Sequence, residues 1–334
     1  MNIALINPKF VGVGGLKTVN ENLSKILKAH TYVLNGGMVD SPYKVPKIVS
    51  YLQIPYSMYD AIMIMFQPSD RDKTKTKEVY ASITKLARDN GCKIFQRMHK
   101  YQPLPDNIDV DCVVCNSKAQ QEFITSNDSV IIRNPTTPLK GINYNRDGAI
   151  WFTRFGSGQT KGIEYTSDKC TTEISEILNQ FKVPVSVFGN HVGVYGYKLK
   201  RTLLTAIEQA SNVSFYGSCN TTKHRVKLIC ASKVYINSTV HGWNEDIGTS
   251  LVECMQYKCV PIASEHYLEA GYIKKNMGLF FNNVKEIPQL VEYGIENYDD
   301  LIPMLESNRK FIIKNQGNKT TYQKYNKLMN KYIE

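Results

Sequence analysis

The chain is short of two things, long apolar runs and acidic residues. No stretch approaches the ~18 consecutive apolar residues that a membrane-spanning helix requires. The opening residues MNIALINPKF run straight into a strand pattern, without the basic and long apolar regions of a secretion signal. A cytoplasmic location is therefore expected. No second cysteine pair stands at zinc-ribbon distance from Cys112 and Cys115, whose CxxC lies inside an apolar, strand-like run. That pair reads as core rather than as metal or redox chemistry. The other six cysteines are scattered through apparent strands and helices, as buried, reduced thiols are. Two phosphate-binding signatures are also missing. A dinucleotide fingerprint starting at Gly12 would need glycine where Lys17 stands, and a P-loop would need glycine where Leu16 stands. There is no short-period repeat and no low-complexity segment.

Aspartate and glutamate total 30 against 41 lysines and arginines, a formal charge of +11. Such a surplus suits an anionic partner, whether nucleic acid, a phosphorylated substrate or an acidic membrane surface. It also occurs on ordinary soluble proteins. With 334 residues, 42% of them hydrophobic, the chain can bury substantial cores, and two domains are expected.

The apolar pattern alternates between strand and helix. MNIALINP leads to LKTVNENLSKILKAH, where Leu16, Val19, Leu23, Ile26 and Leu27 recur at helical spacing. YDAIMIMFQ, a helical TKEVYASITKLARDNG, CKIFQRMH, VDCVVCNS, SKAQQEFITS and SVIIRNP follow. After the turn-rich PTTPLKGINYNRDG the rhythm restarts with AIWFTRFG, and TTEISEILNQF reads as a helix. This is the βαβ alternation of parallel sheets, and it predicts an α/β protein of two Rossmann-like domains. Their expected limits are 1–140 and 149–297, with a helical segment over 298–334 packing back on the first domain.

Three places carry chemistry. Gly12, Gly14 and Gly15 lie between the first strand and first helix, where glycine lets a ligand approach backbone and the helix N-terminus favours anions. A packing turn would use the same residues. Arg154 ends a strand and Lys161 opens the next helical region, so both cations fall over the carboxyl end of the sheet and suit a diphosphate. A solvated loop would also carry them. In HGWNEDIGTSLVECMQYKCVPIAS, a helix starting near Gly248 would aim the N–H groups of Thr249 and Ser250 at an anion. Glu245 and Glu253 flank that start and could accept hydrogen bonds from hydroxyls beside it. A capping carboxylate plus a solvated one is the plainer alternative. Asp109 and Asp111 form a D-x-D that reads as structural, and no metal is expected.

NEDIGTSLVECMQYKCVPIAS resembles the E-x7-E signature of retaining, nucleotide-sugar-dependent glycosyltransferases of the GT-B fold, the glycogen-synthase-like family 4. It departs from the usual pattern at Asp246 and at QYKC. VGVGGLKTVNENL is similar to that family's glycine-rich first loop, and RFGSGQTKG to its G-R-x-x-x-x-K-G, with a longer gap. The resemblance implies two domains facing each other across a cleft, the first on the acceptor side and the second binding a UDP- or GDP-sugar, with no further cofactor. It implies that Glu245 holds sugar hydroxyls and Glu253 the ribose. Gly248, Thr249, Ser250, Arg154 and Lys161 would bind the diphosphate, with Gly14 and Gly15 against phosphate or sugar. His99 matches a histidine that contacts the donor sugar.

A looser resemblance is to the DNA α-glucosyltransferases of T-even phages, in FQRMH, TKG and YKLKRTLLTAIEQASNVSFYG. It implies double-stranded DNA carrying a hydroxymethylated base as acceptor, in the host cytoplasm if the protein is phage-encoded. The competing acceptors are cell-envelope or capsule glycans or lipids at a membrane surface. From other classes, a non-catalytic nucleic-acid-binding protein and a sugar-nucleotide 2-epimerase stay open.

Overall fold

A computed structural model describes residues 1–7, 15–34, 47–65, 75–98, 109–122, 124, 128–136, 145–155, 171–191, 193–219, 221–239, 248–269 and 273–333. The chain divides into two units, one of residues 1–137 with 314–334 and one of residues 138–313.

The first unit holds β1 (Ile3–Asn7), β2 (His30–Leu34), β3 (Lys47–Val49), β4 (Ala61–Ile64), β5 (Lys93–Arg97), β6 (Cys112–Cys115) and β7 (Ser129–Ile131). Helices α1 (Gly15–Leu27), α2 (Lys75–Asp89) and α3 (Lys118–Gln121) alternate with them. The second unit holds β8 (Ala149–Phe155), β9 (Val185–His191), β10 (Val213–Phe215), β11 (Val234–Asn237), β12 (Val260–Ser264) and β13 (Leu279–Phe281). Its helices are α4 (Thr171–Ser175), α5 (Gly193–Glu208), α6 (Thr222–Ala231), α7 (Thr249–Gln256), α8 (His266–Glu269) and α9 (Ile287–Glu296). The unit boundary falls within α10 (Ile302–Gln316), and α11 (Asn318–Ile333) belongs to the first unit.

Each unit is built on one parallel sheet. The strand orders are β3-β2-β1-β4-β5-β6-β7 and β10-β9-β8-β11-β12-β13, the doubly wound pattern that the sequence predicts. In both, the order reverses beside the unit's first strand, between β1 and β4 and between β8 and β11. Strands β2 and β3 are absent from the sequence reading. HTYVL opens on polar residues and KIV is only three long, so neither gives a strong alternation. The helix expected over TTEISEILNQF is broken into α4 and a 3-10 turn at Leu178–Gln180. Its apolar residues Ile174, Ile177, Leu178 and Phe181 are nevertheless all buried in one cluster. Packing of that stripe keeps the periodicity although the helix does not run through.

Strands covered on both faces read as nearly continuous apolar runs, and β1, β4 and β6 are buried throughout. In the first unit Leu5, Met63, Phe95 and Val114 pack with Leu23 of α1 and with Tyr325, Leu328 and Met329 of α11. On the opposite face Ile6, Ile62, Ile94 and Val113 pack with Tyr80, Ile83 and Ala87 of α2. Cys112 belongs to the first of these clusters and Cys115 to the second. Three residues along a strand reverse the side-chain direction, so the two thiols of the CxxC are on opposite sides of the sheet. Burial pushes the Cys115 thiol up to about 12.

Helix α11 is held by more than apolar contact. Arg97, at the end of β5, is fully buried and donates to the Tyr325 hydroxyl, to Asn116 Oδ1 (2.6 Å), to Asn134 Oδ1 (2.7 Å) and to the Ile132 carbonyl (3.2 Å). One guanidinium thus ties α11 to the ends of three neighbouring strands. Thr136 bridges to Gly317 just before α11 begins.

In the second unit α4, α5 and α9 cover one sheet face and α6 and α7 the other. Arg146 closes the amino end of this unit, donating to the Ile229 (3.3 Å), Ser232 (2.6 Å) and Tyr257 carbonyls at the ends of α6 and α7. A cation there also complements the negative ends of both helices. Gly148, at φ +53°, leads into β8; a Cβ there would come 2.5 Å from the Pro184 carbonyl oxygen.

Asp109 and Asp111 clamp Arg88 at the end of α2. Its Nε and Nη2 donate to Asp109 (3.0 and 2.9 Å) and its Nη1 to Asp111 (2.6 Å), which also accepts from the Ile94 amide (2.7 Å). The Arg88 guanidinium holds the Asp109 carboxyl below its usual value. Stability from this ionised carboxylate is present above the unfolded-state value, about 3.9, and is lost as pH falls through the lowered folded value. Asp109→Asn should therefore lower the melting temperature near neutral pH, and thermal unfolding at successively lower pH should show the difference from the parent shrinking below about pH 4.

Candidate functional site

In a doubly wound sheet, ligands bind beyond the carboxyl ends of the strands where the order reverses. In the second unit that point lies between β8 and β11, paired through Trp151 and Ile236. The residues at this end are buried yet polar: Asn237 ends β11, Ser238 and Thr239 follow it, and Thr153 lies on β8. The Trp151 indole N–H donates to Ser238 Oγ at 2.8 Å, fixing the turn out of the strand. Arg154 is on β8 with its backbone opposite Asn190, at this same end of the sheet.

Helix α7 starts at Thr249 with Gly248 as its N-cap. The Gly248 carbonyl accepts from the Leu251 amide (2.9 Å), while Thr249 and Ser250 are half-buried in the first turn. Burial pushes Tyr235 well up, against a smaller opposing hydrogen bond with Ser250. From Leu251 to Gln256 every residue of α7 is buried, so the glutamate among them is buried too. A carboxylate without water needs a charged partner. Glu253 has one in Arg225 of α6, whose Nε and Nη2 donate to its two oxygens at 2.6 and 2.7 Å. Burial opposes the Arg225 charge, and Glu253 outweighs it, so the guanidinium is held even more firmly protonated than usual. The pair is planar and bidentate, and it locks α6 to the first turns of α7.

An aromatic row runs outward from this point. Tyr235 packs with Phe152 (ring centroids 6.0 Å apart), Phe152 with Phe188 (5.6 Å), and Phe188 stacks on Tyr216 at 5.2 Å with an 18° interplanar angle. His224 meets Phe188 edge-on. Tyr216 is 61% exposed and follows the end of β10, so this row ends in an open π-face.

Of the residues singled out from sequence, Gly248, Thr249, Ser250 and Glu253 are consecutive parts of one helix start, and Gly15 is the first residue of α1. His99, Lys161, Glu245 and Gly14 lie outside the described residues, as does the side chain of Arg154. Sequence reasoning misses Arg225, which stands 28 positions before its partner in a helix rich in basic residues and looks solvated. It also misses Tyr216, whose signal is an aromatic residue directly after a strand. Among the described residues no cluster of three or more His, Cys, Asp or Glu side chains is arranged for a metal ion, and no helix is long and apolar enough to cross a membrane.

No protein-family model and no curated protein matches the chain. Solved structures do. Anabaena HepE in complex with UDP-glucose is similar at TM-score 0.73 and 14% identity, covering 99% of this chain and 100% of that one. An alpha-glucosyltransferase in complex with UDP and a 13-mer DNA containing a HMU base is similar at TM-score 0.70 and 11% identity, covering 99% of each chain. AviGT4, a glycosyltransferase involved in avilamycin A biosynthesis, is similar at TM-score 0.64 and 14% identity, covering 100% and 98%. These similarities give the chain the GT-B fold of two parallel-sheet domains.

Removing one member of a buried ion pair leaves the other charge stranded, at a cost of about 3–5 kcal/mol. Arg225→Met and Glu253→Leu should each lose stability of that order in denaturant unfolding, and the double variant should lose markedly less than their sum.

Proposed function

We propose that the chain is a retaining glycosyltransferase that moves a sugar from a UDP- or GDP-sugar to an acceptor hydroxyl. The observation that carries this reading is the start of α7. An N-terminal turn open to an anion stands beside a buried, fixed carboxylate at the switch point of a GT-B sheet. In this reading the diphosphate lies on the amides of Gly248 to Ser250, with Arg154 and Lys161 neutralising it. Glu253 retains lone pairs beyond those given to Arg225, and these accept from a ribose hydroxyl. The exposed face of Tyr216 offers the base a stacking surface. The roles expected of Glu245, His99, Gly14 and Gly15 from the family resemblance carry into the proposal. So do the assignments of donor to the domain of residues 149–297 and acceptor to that of residues 1–140, and action in the cytoplasm.

The acceptor oxygen forms its bond to the anomeric carbon from the face that the diphosphate vacates. The carbon–phosphate oxygen bond breaks with its electron pair on the leaving oxygen, and that oxygen takes the acceptor's proton. No carboxylate nucleophile or metal is needed. Rate comes from positioning and from cations stabilising the departing charge. For the acceptor, the reading takes a hydroxymethylated base in double-stranded DNA, supported by the +11 charge and by likeness to a DNA-bound glucosyltransferase.

The test is nucleotide release from a panel of UDP- and GDP-sugars, with and without hydroxymethylcytosine-containing DNA. Release that requires the modified DNA, with sugar mass added to the base, is expected. Release that ignores DNA would move the acceptor to glycans or lipids, and a new sugar nucleotide without acceptor would mark an epimerase. Glu245→Ala should cut turnover by about 10²–10³; no turnover from any donor, with nucleotide affinity unchanged in this variant, would leave a binding protein.

A further inference from the structure

The two faces of the first sheet are charged very differently. Helices α1 and α11, which cover one face, carry Lys17, Lys25, Lys319, Lys324, Lys327 and Lys331 against a single acidic residue, Glu21. Helix α2, on the opposite face, carries Lys75, Lys77, Lys85 and Arg88 against Glu78 and Asp89, and Asp109 and Asp111 hold its arginine. Solvation alone would not sort charge by face in this way. The α11 sequence has no acidic residue, and its outward side shows Lys319, Tyr322, Gln323, Lys327, Asn330 and Lys331. Lys331 pairs with Asp128 at 3.0 Å, while among the described residues Lys319 and Lys327 have no ion-pair partner. Behind them Lys324 is half-buried beside Arg133; burial, then that neighbouring charge, lowers its proton affinity. Of the exposed cations of α11, Lys331 has a carboxylate partner, and among the described residues Lys319 and Lys327 have none.

We infer that the outer face of α11, with Lys25 of the adjoining α1, docks the phosphate backbone of double-stranded DNA. The composition selects this occupant over a membrane. A helix lying on lipid must insert apolar side chains, and the apolar residues of α11, Tyr325, Leu328 and Met329, are spent in the core. What remains outside is lysine, asparagine, glutamine and tyrosine, the donors that contact phosphate oxygens. From Lys319 to Lys331 the helix advances about 18 Å, a length over which duplex DNA presents about ten phosphates. The contacts are to backbone, so they would hold DNA of any sequence. The inference takes its biological sense from the DNA-acceptor reading. Its test uses unmodified DNA and no sugar donor, so failure of transfer and failure of docking are distinguishable.

The experiment is fluorescence anisotropy of a labelled unmodified duplex with the full chain, titrated between about 50 and 200 mM salt. The K319Q/K327Q/K331Q variant, changed only at exposed positions, should keep its melting temperature. It should bind at least about tenfold more weakly at the lowest salt, and its slope of log K against log salt should be shallower by about 2.7, for three lost phosphate contacts. The K77Q/K85Q variant on α2 should bind like the parent. A triple variant that binds like the parent, or equal losses in both variants, overturns the proposal. So does a parent that ignores DNA but binds phosphatidylserine vesicles through these lysines. Should the triple variant melt early, K319E/K327E, which leaves the Lys331–Asp128 pair intact, must show the same loss.

Discussion

The second unit's site depends on one ion pair, Arg225 with Glu253. Helix α7 is buried on all sides from its third residue, which fixes the direction of its N-terminal amides but strands a carboxylate in the interior. Arg225 answers that charge with two parallel hydrogen bonds and in doing so fixes α6 against α7. The pair is costly to desolvate and gains little net stability over an apolar substitute. Its value is geometric, because a helix start can serve as an anion site only if the helix cannot slide. Arg146 performs the complementary task at the other end of the same two helices, taking up their last carbonyls. Between these two arginines, α6 and α7 are held at both ends.

Much of this architecture is legible in the sequence, because a parallel sheet buried on both faces writes itself as short apolar runs. IALIN, AIMI, CVVC and VPIAS are such runs, and each is a strand. What escapes is what depends on neighbours far along the chain. β2 is a strand because β1 offers it an edge, and β3 because β2 does, not because HTYVL or KIV insists on it. Arg225 is buried only because α7 lies beside it. The aromatic row from Tyr235 to Tyr216 is assembled from three strands and the residue after a fourth, whose sequences show no relation. For the site, the helix start at Gly248 can be read from glycine and the apolar run after it. The bidentate grip on Glu253 can be found only once the helices are packed.

The first unit is made of two separate pieces of chain, with the whole of the second unit between them. One side of its sheet is finished by Tyr325, Leu328 and Met329, and the buried Arg97 finds a partner in the hydroxyl of that same tyrosine. During synthesis, strands β1 to β7 leave the ribosome long before these residues exist. Until then Leu5, Met63, Phe95 and Val114 lack part of their cover, and a guanidinium in the sheet lacks one of its acceptors. The second unit, contiguous in sequence, can close in the meantime. The amino-terminal half is thus the first to be made and the last to be completed. The protein must keep an apolar sheet face safe from other chains while the whole of the second unit is being translated.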